Sequence, residues 1–277
     1  MLMTACFSLP WLDNPMGWPI RTHPKDRLNV LYLDWETNRK TINDTKKSLT
    51  LGMNLGCFGM HYRHCKVPLA RDLAQIIYWI DETKADITII DSLGRATGGD
   101  LNSTEPALAF WDAWNKLETT SLIIAHPSKG GEDKTKRSIF GSMFFSAEAR
   151  IIWEVRKAQE AGSREADVAL YHIKPPPFDM LRPPIGLHVS FNKDADGRNS
   201  TIVRVGFPET IPELLESMSA GDRIIAELKN NGDMTNKELS NALCIKSNTV
   251  TQTLNRLQGR GEVKKISKDK WSYLSVR

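Results

Sequence analysis

The chain has 277 residues, 40% of them hydrophobic and 25% charged, with a formal net charge of +4. That size holds one large domain, or a large one with a small one, and no stretch reaches the roughly 20 apolar residues that a membrane span needs. Cys6, Cys57, Cys65 and Cys244 form no CxxC pair, which argues against a disulfide scaffold and a thioredoxin-like motif, so a soluble, cytoplasmic protein is expected.

The opening MLMTACFSLPWL is apolar but short and lacks the basic region of a secretory signal, so it reads as part of a core helix. From Asn29 to about Arg156 short β-branched runs alternate with helical stretches, the pattern of βαβ units and a mostly parallel sheet. NVLYLD, DITIID and SLIIAH are the strands. Helices are predicted over Arg39 to Leu55, over the stretch LARDLAQIIYWIDETKA with Leu69, Leu73, Ile76, Ile77 and Ile80 on one face, and over NSTEPALAFWDAWNKLE. CFGMHYRHC reads as a connecting loop. Its Cys57, His61, His64 and Cys65 are ligand types that zinc accepts, but their spacing is no standard finger.

After Arg150 the pattern turns antiparallel. RIIWEV, DVALYHI, GLHVSF and TIVRVGF are separated by Gly, Pro, Asn and Asp turns and are expected to extend one edge of the sheet. PETIPELLESMSAG then reads as a linker. Beyond it DRIIAELKNN, MTNKELSNALCI and KSNTVTQTLNRLQGRGEV are three helices, the last with Val250, Leu254 and Leu257 on one face, and VKKISKDKWSYLSV is a hairpin. Three helices and a hairpin make a winged helix-turn-helix. From Ser219 onward seven lysines and four arginines face six acidic residues, a net +5 that leaves the remainder of the chain at −1. A basic small domain on a neutral large one points to a polyanion. The candidate DNA contacts are Asn248, Thr251, Gln252, Asn255 and Arg256 on the third helix and Lys264, Lys265, Lys268 and Lys270 in the wing.

Three strand ends carry chemistry: Glu36 after NVLYLD, Asp91 closing DITIID, and His126 closing SLIIAH. Ligands of open parallel sheets bind at the carboxyl ends of the strands. A carboxylate there can take a proton from an attacking water, another can hold magnesium, and a histidine can hydrogen-bond a phosphate. Each alone also fits an ordinary loop residue.

Together the runs VLYLDWE, IIDSLGRATGGDLNSTE, LIIAHPSKG and SIFGSMFFSAEARIIWEV resemble the RecA-like hexameric ATPases of the RepA type, the replicative helicases of plasmids and many phages. The resemblance covers roughly residues 1 to 175. It rests most on Asp91, Ser92, Leu93, Arg95, Asp100 and Asn102 and on His126, Ser128, Lys129 and Gly130. It implies Glu36 as the general base, Asp91 as the magnesium residue, His126 as a sensor, and Arg150 and Lys174 as cations reaching a neighbour's nucleotide. ATP with Mg²⁺, DNA and further copies of the chain in a ring, a hexamer by resemblance, are the implied cofactor and partners. The family's phosphate loop G-x-x-x-x-G-K-[ST] occurs nowhere in the sequence, so the chain is expected to be an amino-terminally shortened form that binds ATP weakly or not at all. The alternative is a non-hydrolysing DNA-binding regulator of replication or transcription that uses the ATPase-like core for assembly. The expected fold is α/β, with a RecA-like core over 1–206 extended by antiparallel strands, a linker over 207–218 and a winged helix over 219–277.

Overall fold

The structure, a computed structural model, describes residues 1–9, 28–126, 143–182, 184–206 and 219–274. The expected linker and the Ser128, Lys129 and Gly130 motif lie outside them. The chain forms two compact units, Met1–Ile152 with Pro176–Phe178 and Val189–Arg204, and Trp153–Pro175 with Asp179–His188 and Val205–Arg277.

In the first unit β1 (Val30–Asp34), β2 (His61–His64), β3 (Ile87–Asp91) and β4 (Thr120–Ile124) form a parallel sheet in the order β2-β1-β3-β4. Helices α2 (Arg39–Gly52), α3 (Leu73–Thr83) and α5 (Thr104–Asn115) supply the crossovers, with the short α4 (Leu93–Thr97) following β3. The period of two divides the strands between two faces. Leu31, Leu33 and Ile90 pack with Ile76 and Ile80 of α3 and with Ala107, Phe110 and Trp111 of α5. Val30, Tyr32, Ile87 and Ile89 pack with Ile42 of α2 and with Met1 and Phe7, which flank and belong to α1 (Leu2–Ser8). Within the described residues 1–9, the opening segment is therefore the core helix that its composition predicts, over Leu2–Ser8.

β2 corrects one expectation. HYRH lies in the stretch expected to be a connecting loop, yet it pairs with β1 from Leu31↔His61 to Asp34↔His64. A short edge strand needs no apolar alternation, since only one of its sides joins a ladder. α3 is shorter than the apolar pattern implied. It starts at Leu73, and Leu69, though fully buried, sits in the preceding turn.

β5 (Ile152–Ala158), β6 (Glu165–Lys174), β7 (Ile185–Lys193) and β8 (Asn199–Gly206) form a separate four-stranded sheet in sequence order, the order that hairpin connections produce.

In the carboxy-terminal region helices Ala220–Asn231, Asn236–Leu243 and Ser247–Gly259 precede the strands Val263–Lys265 and Lys270–Tyr273. A third strand, Met234–Thr235, pairs with the last one through Met234↔Trp271, an addition that two residues of sequence do not betray. Ser219 accepts from the Asp222 N–H, and Thr235 and Glu238 form a reciprocal capping box, so the first helix starts two residues before, and the second two residues after, the stretches read as helical. Ile224, Leu228, Leu239, Leu243, Val250, Leu254, Leu257, Val263 and Trp271 make the core. Leu254 is fully buried among them, so Leu254→Ala is expected to cost about 3 kcal/mol. Hydrogen exchange of the Ser247–Gly259 amides in the intact chain checks this, with exchange speeding by about a hundredfold if global opening of this region governs it.

Candidate functional site

The strand register builds the site. Asp34 lies opposite Asp91 at the carboxyl ends of β1 and β3, and Tyr62 lies opposite Tyr32. Side chains two positions apart share a face, so each tyrosine can reach the carboxylate diagonally ahead of it on the next strand. The Tyr32 hydroxyl donates to Asp91 Oδ2 at 2.6 Å and the Tyr62 hydroxyl to Asp34 Oδ2 at 2.9 Å. Burial, followed by the hydrogen bond to Asp91, drives the Tyr32 pKa up, and burial with the bond to Asp34 does the same for Tyr62. Both phenols therefore stay protonated donors. The Met1 ammonium is pushed down by burial and favoured by the nearby charge of Asp91.

The sequence places Asp34 with Glu36 at the carboxyl edge of β1 and gives the catalytic role to Glu36 alone. Asp34 is fully buried and accepts from the Glu36 N–H at 2.9 Å, the Thr37 N–H at 2.8 Å and the Thr37 hydroxyl at 2.7 Å. Burial alone would raise its pKa, but the Thr37 and Tyr62 bonds and the Glu36 N–H outweigh it, so the carboxyl is held below the ordinary carboxylate range. The turn it closes fixes the backbone that carries Glu36.

Asp34→Asn removes an acceptor from that turn and is expected to cost about 2 kcal/mol, read by chemical denaturation at pH 7. The depressed pKa also sets a sign. The native state favours the ionised form, so its contribution is full above the unfolded carboxylate value near about 4 and is lost as the pH falls through the lower folded value. The gap between wild type and Asp34→Asn should accordingly narrow in acid.

Glu36 meets three groups. Ser92 Oγ donates to Glu36 Oε1, Arg95 Nε stands 3.9 Å from Oε2, and His126 Nε2 stands 3.9 Å from Oε1. Arg95 also reaches the Trp35 carbonyl at 3.4 Å. The structure thus brings Glu36 and His126 together, with Asp91 one residue before the serine that holds Glu36. Arg150 is exposed between α6 (Met143–Glu148) and β5, and Lys174 closes β6 in the second unit.

Beyond Asp91, α4 ends at Gly98, whose φ of +68° is left-handed. A Cβ there would meet Pro68 at 2.0 Å, so only glycine fits. Asp100 accepts from the Asn102 backbone at 3.0 Å and from its side chain at 3.2 Å, which ties down the following loop.

In the winged region Asn248, Gln252, Asn255, Arg256, Lys264, Lys265, Lys268 and Lys270 are all exposed. Thr251 differs. It is half-buried, accepts from Asn236 Nδ2 at 2.9 Å and donates to the Ser247 carbonyl at 3.0 Å, so its hydroxyl joins the second helix to the third. Lys265 lies over the Trp271 ring at 5.6 Å, which fixes the root of the wing.

Residues 3–132 match the AAA domain family. That match spans the parallel sheet β2-β1-β3-β4. Residues 223–270 match the MarR family, over the three helices and wing described above. Among solved structures, a KaiC-like protein from the hyperthermophilic archaeon Pyrococcus horikoshii OT3 is similar over 65% of this chain and 76% of its own, with 11% identity and a TM-score of 0.41. Curated protein sequences gave no match.

The group such a domain implies is ATP with Mg²⁺. Asp91, with one oxygen held by Tyr32, offers a carboxylate to a divalent cation, and Glu36 offers one to a water. The described residues contain no cluster of three or more metal-competent side chains. The sequence also has no glycine-rich loop leading a lysine and a Ser/Thr into a helix. The residues present offer the cation one carboxylate, Asp91, and the water another, Glu36. They do not fit the phosphates.

Proposed function

We propose that this protein is an ATPase of the DNA-helicase type used in plasmid or phage replication, with its winged helix as a DNA-binding module. The observation that carries the reading is Glu36 at the carboxyl edge of the parallel sheet, fixed by Ser92 and flanked by His126 and Arg95. In this reading Glu36 orients and deprotonates water, Asp91 holds the cation, and His126 responds to the departing phosphate. Mg²⁺ bound there would stabilise the charge that develops on the transferred phosphoryl group. Arg150 and Lys174 reach the site of a neighbouring copy in a ring, since such cations are commonly supplied in trans. The domain division we assign is a core over 1–206, a linker over 207–218 and a winged helix over 219–277.

The phosphate side weighs for a second reading, a non-hydrolysing DNA-binding regulator in which the AAA domain serves assembly. Hydrolysis separates the two. A version preceded by a strand and a G-x-x-x-x-G-K-[ST] loop is expected to turn over ATP and to do so faster with DNA, whereas failure of that well-folded version to turn over ATP favours the regulator. Assembly is tested by light scattering on the same version, which should give a species several times the 31.3 kDa chain mass. A strict monomer at high concentration, with and without DNA, would refute the trans role of Arg150 and Lys174.

A further inference from the structure

The carboxyl edge of the parallel sheet holds a second feature beside Glu36. A cleft of about 410 Å³ is lined by Trp35, His64, Cys65, Lys66, Pro68 and Arg95. Its size falls within the range of small-ligand sites. Three of its six lining residues carry basic side chains, and His64, Lys66 and Arg95 are all exposed. Glu36, 3.9 Å from Arg95, offsets part of that charge, whereas Asp72 is paired with Arg63 at 2.5 Å, so Lys66 and His64 carry most of the cleft's basic character.

The remaining walls are neutral. Trp35 is buried and its indole N–H is spent on the Val67 carbonyl at 2.9 Å, so it contributes an apolar ring. Pro68 is fixed in the close approach to Gly98. Cys65 is buried and its thiol is pushed up to about 12 by burial, so it places no thiolate in the cleft. An ammonium, a guanidinium and an imidazole above an apolar floor form a receptor for a compact, multiply charged anion.

We propose that this cleft, which shares Arg95 with the Glu36 site, binds a phosphate group, separately from the winged helix. Two sources share that chemistry: the phosphodiester backbone of a DNA strand, and a free phosphate such as pyrophosphate. The proposal goes beyond the ATPase reading and does not depend on it, because no hydrolysis is involved.

The test uses the intact chain with Lys264, Lys265, Lys268 and Lys270 changed to Gln, so that the wing no longer dominates DNA binding. Fluorescence anisotropy of a labelled thymidine dodecamer and calorimetric titration of pyrophosphate are compared with and without Lys66→Glu. Charge reversal at this exposed position is expected to weaken binding about tenfold. Lys66→Gln, which keeps the size and drops the charge, gives a smaller loss and carries the test if Lys66→Glu does not fold. The His64 ring resonances should shift in the same titrations. A loss confined to the dodecamer assigns the cleft to a DNA strand, and a loss confined to pyrophosphate assigns it to a free phosphate. Equal binding of both probes by both chains, or no binding of either probe by the parent, overturns the proposal.

Discussion

Duplex DNA binding by the 277-residue chain should fall about a hundredfold between 50 and 200 mM salt. The expectation follows from four exposed wing lysines, Lys264, Lys265, Lys268 and Lys270, and a slope of roughly −0.9 per phosphate contact. The double change Lys264→Gln with Lys268→Gln should weaken all sequences alike and reduce the slope by about 2. Changes on the third helix should behave differently. Gln252→Ala or Asn255→Ala removes a side chain suited to adenine and should narrow the gap between preferred and random DNA by about 1–3 kcal/mol, with little effect on the slope. Thr251→Ala should instead loosen the helix pair, because its hydroxyl joins Asn236 to Ser247. Gel shifts at several salt concentrations separate the three outcomes. Absence of duplex binding even at low salt would mean that the winged helix contacts protein and not DNA.

In the version supplied with a phosphate loop, Glu36→Gln should reduce ATP turnover by about 10²–10⁴-fold, the usual worth of a positioned general base. Glutamine keeps the acceptor for Ser92 but cannot take a proton from water. Asp91→Asn should also abolish turnover, and its loss should be relieved in part by raised Mg²⁺, since it weakens a cation site. Ser92→Ala leaves the Glu36 carboxylate without its donor and should lower turnover by a smaller factor while leaving the fold intact. Steady-state assays on the purified variants read these differences directly. Equal rates for Glu36→Gln and its parent would remove Glu36 from the chemistry.

The strands that carry Glu36, Asp91 and His126 were legible because each is an apolar run ending abruptly in a polar residue. That signal is local. The donors that hold Asp91 and Asp34 were not legible, because they depend on register: Tyr32 and Tyr62 meet the carboxylates only once β2, β1 and β3 are aligned. β2 itself escaped because HYRH has no apolar alternation, and Met234–Thr235 escaped because two residues carry no periodicity. The winged helix was read almost entire. Its apolar face at Val250, Leu254 and Leu257 and its lysine-rich hairpin are sequence-local, whereas the engagement of Thr251 with Asn236 depends on how two helices pack, and the third helix begins after Lys246 with no side-chain cap where Ser and Asn caps are expected.

The missing phosphate cradle makes the sharpest demand. Asp91 and Glu36 present negative charge to an anionic nucleotide, and two unit charges about 4 Å apart cost roughly 4 kcal/mol near a protein surface. Without backbone N–H groups at a helix start and a lysine to offset that, ATP affinity should be on the order of millimolar or weaker. Steady-state ATP turnover by the unextended chain, measured beside its Glu36→Gln variant, tests this most directly. Both are predicted to match the buffer background. An ordinary ATPase rate of about 1 s⁻¹ or more in the parent, lost in Glu36→Gln, would contradict the account by showing that some segment of these residues holds the phosphates.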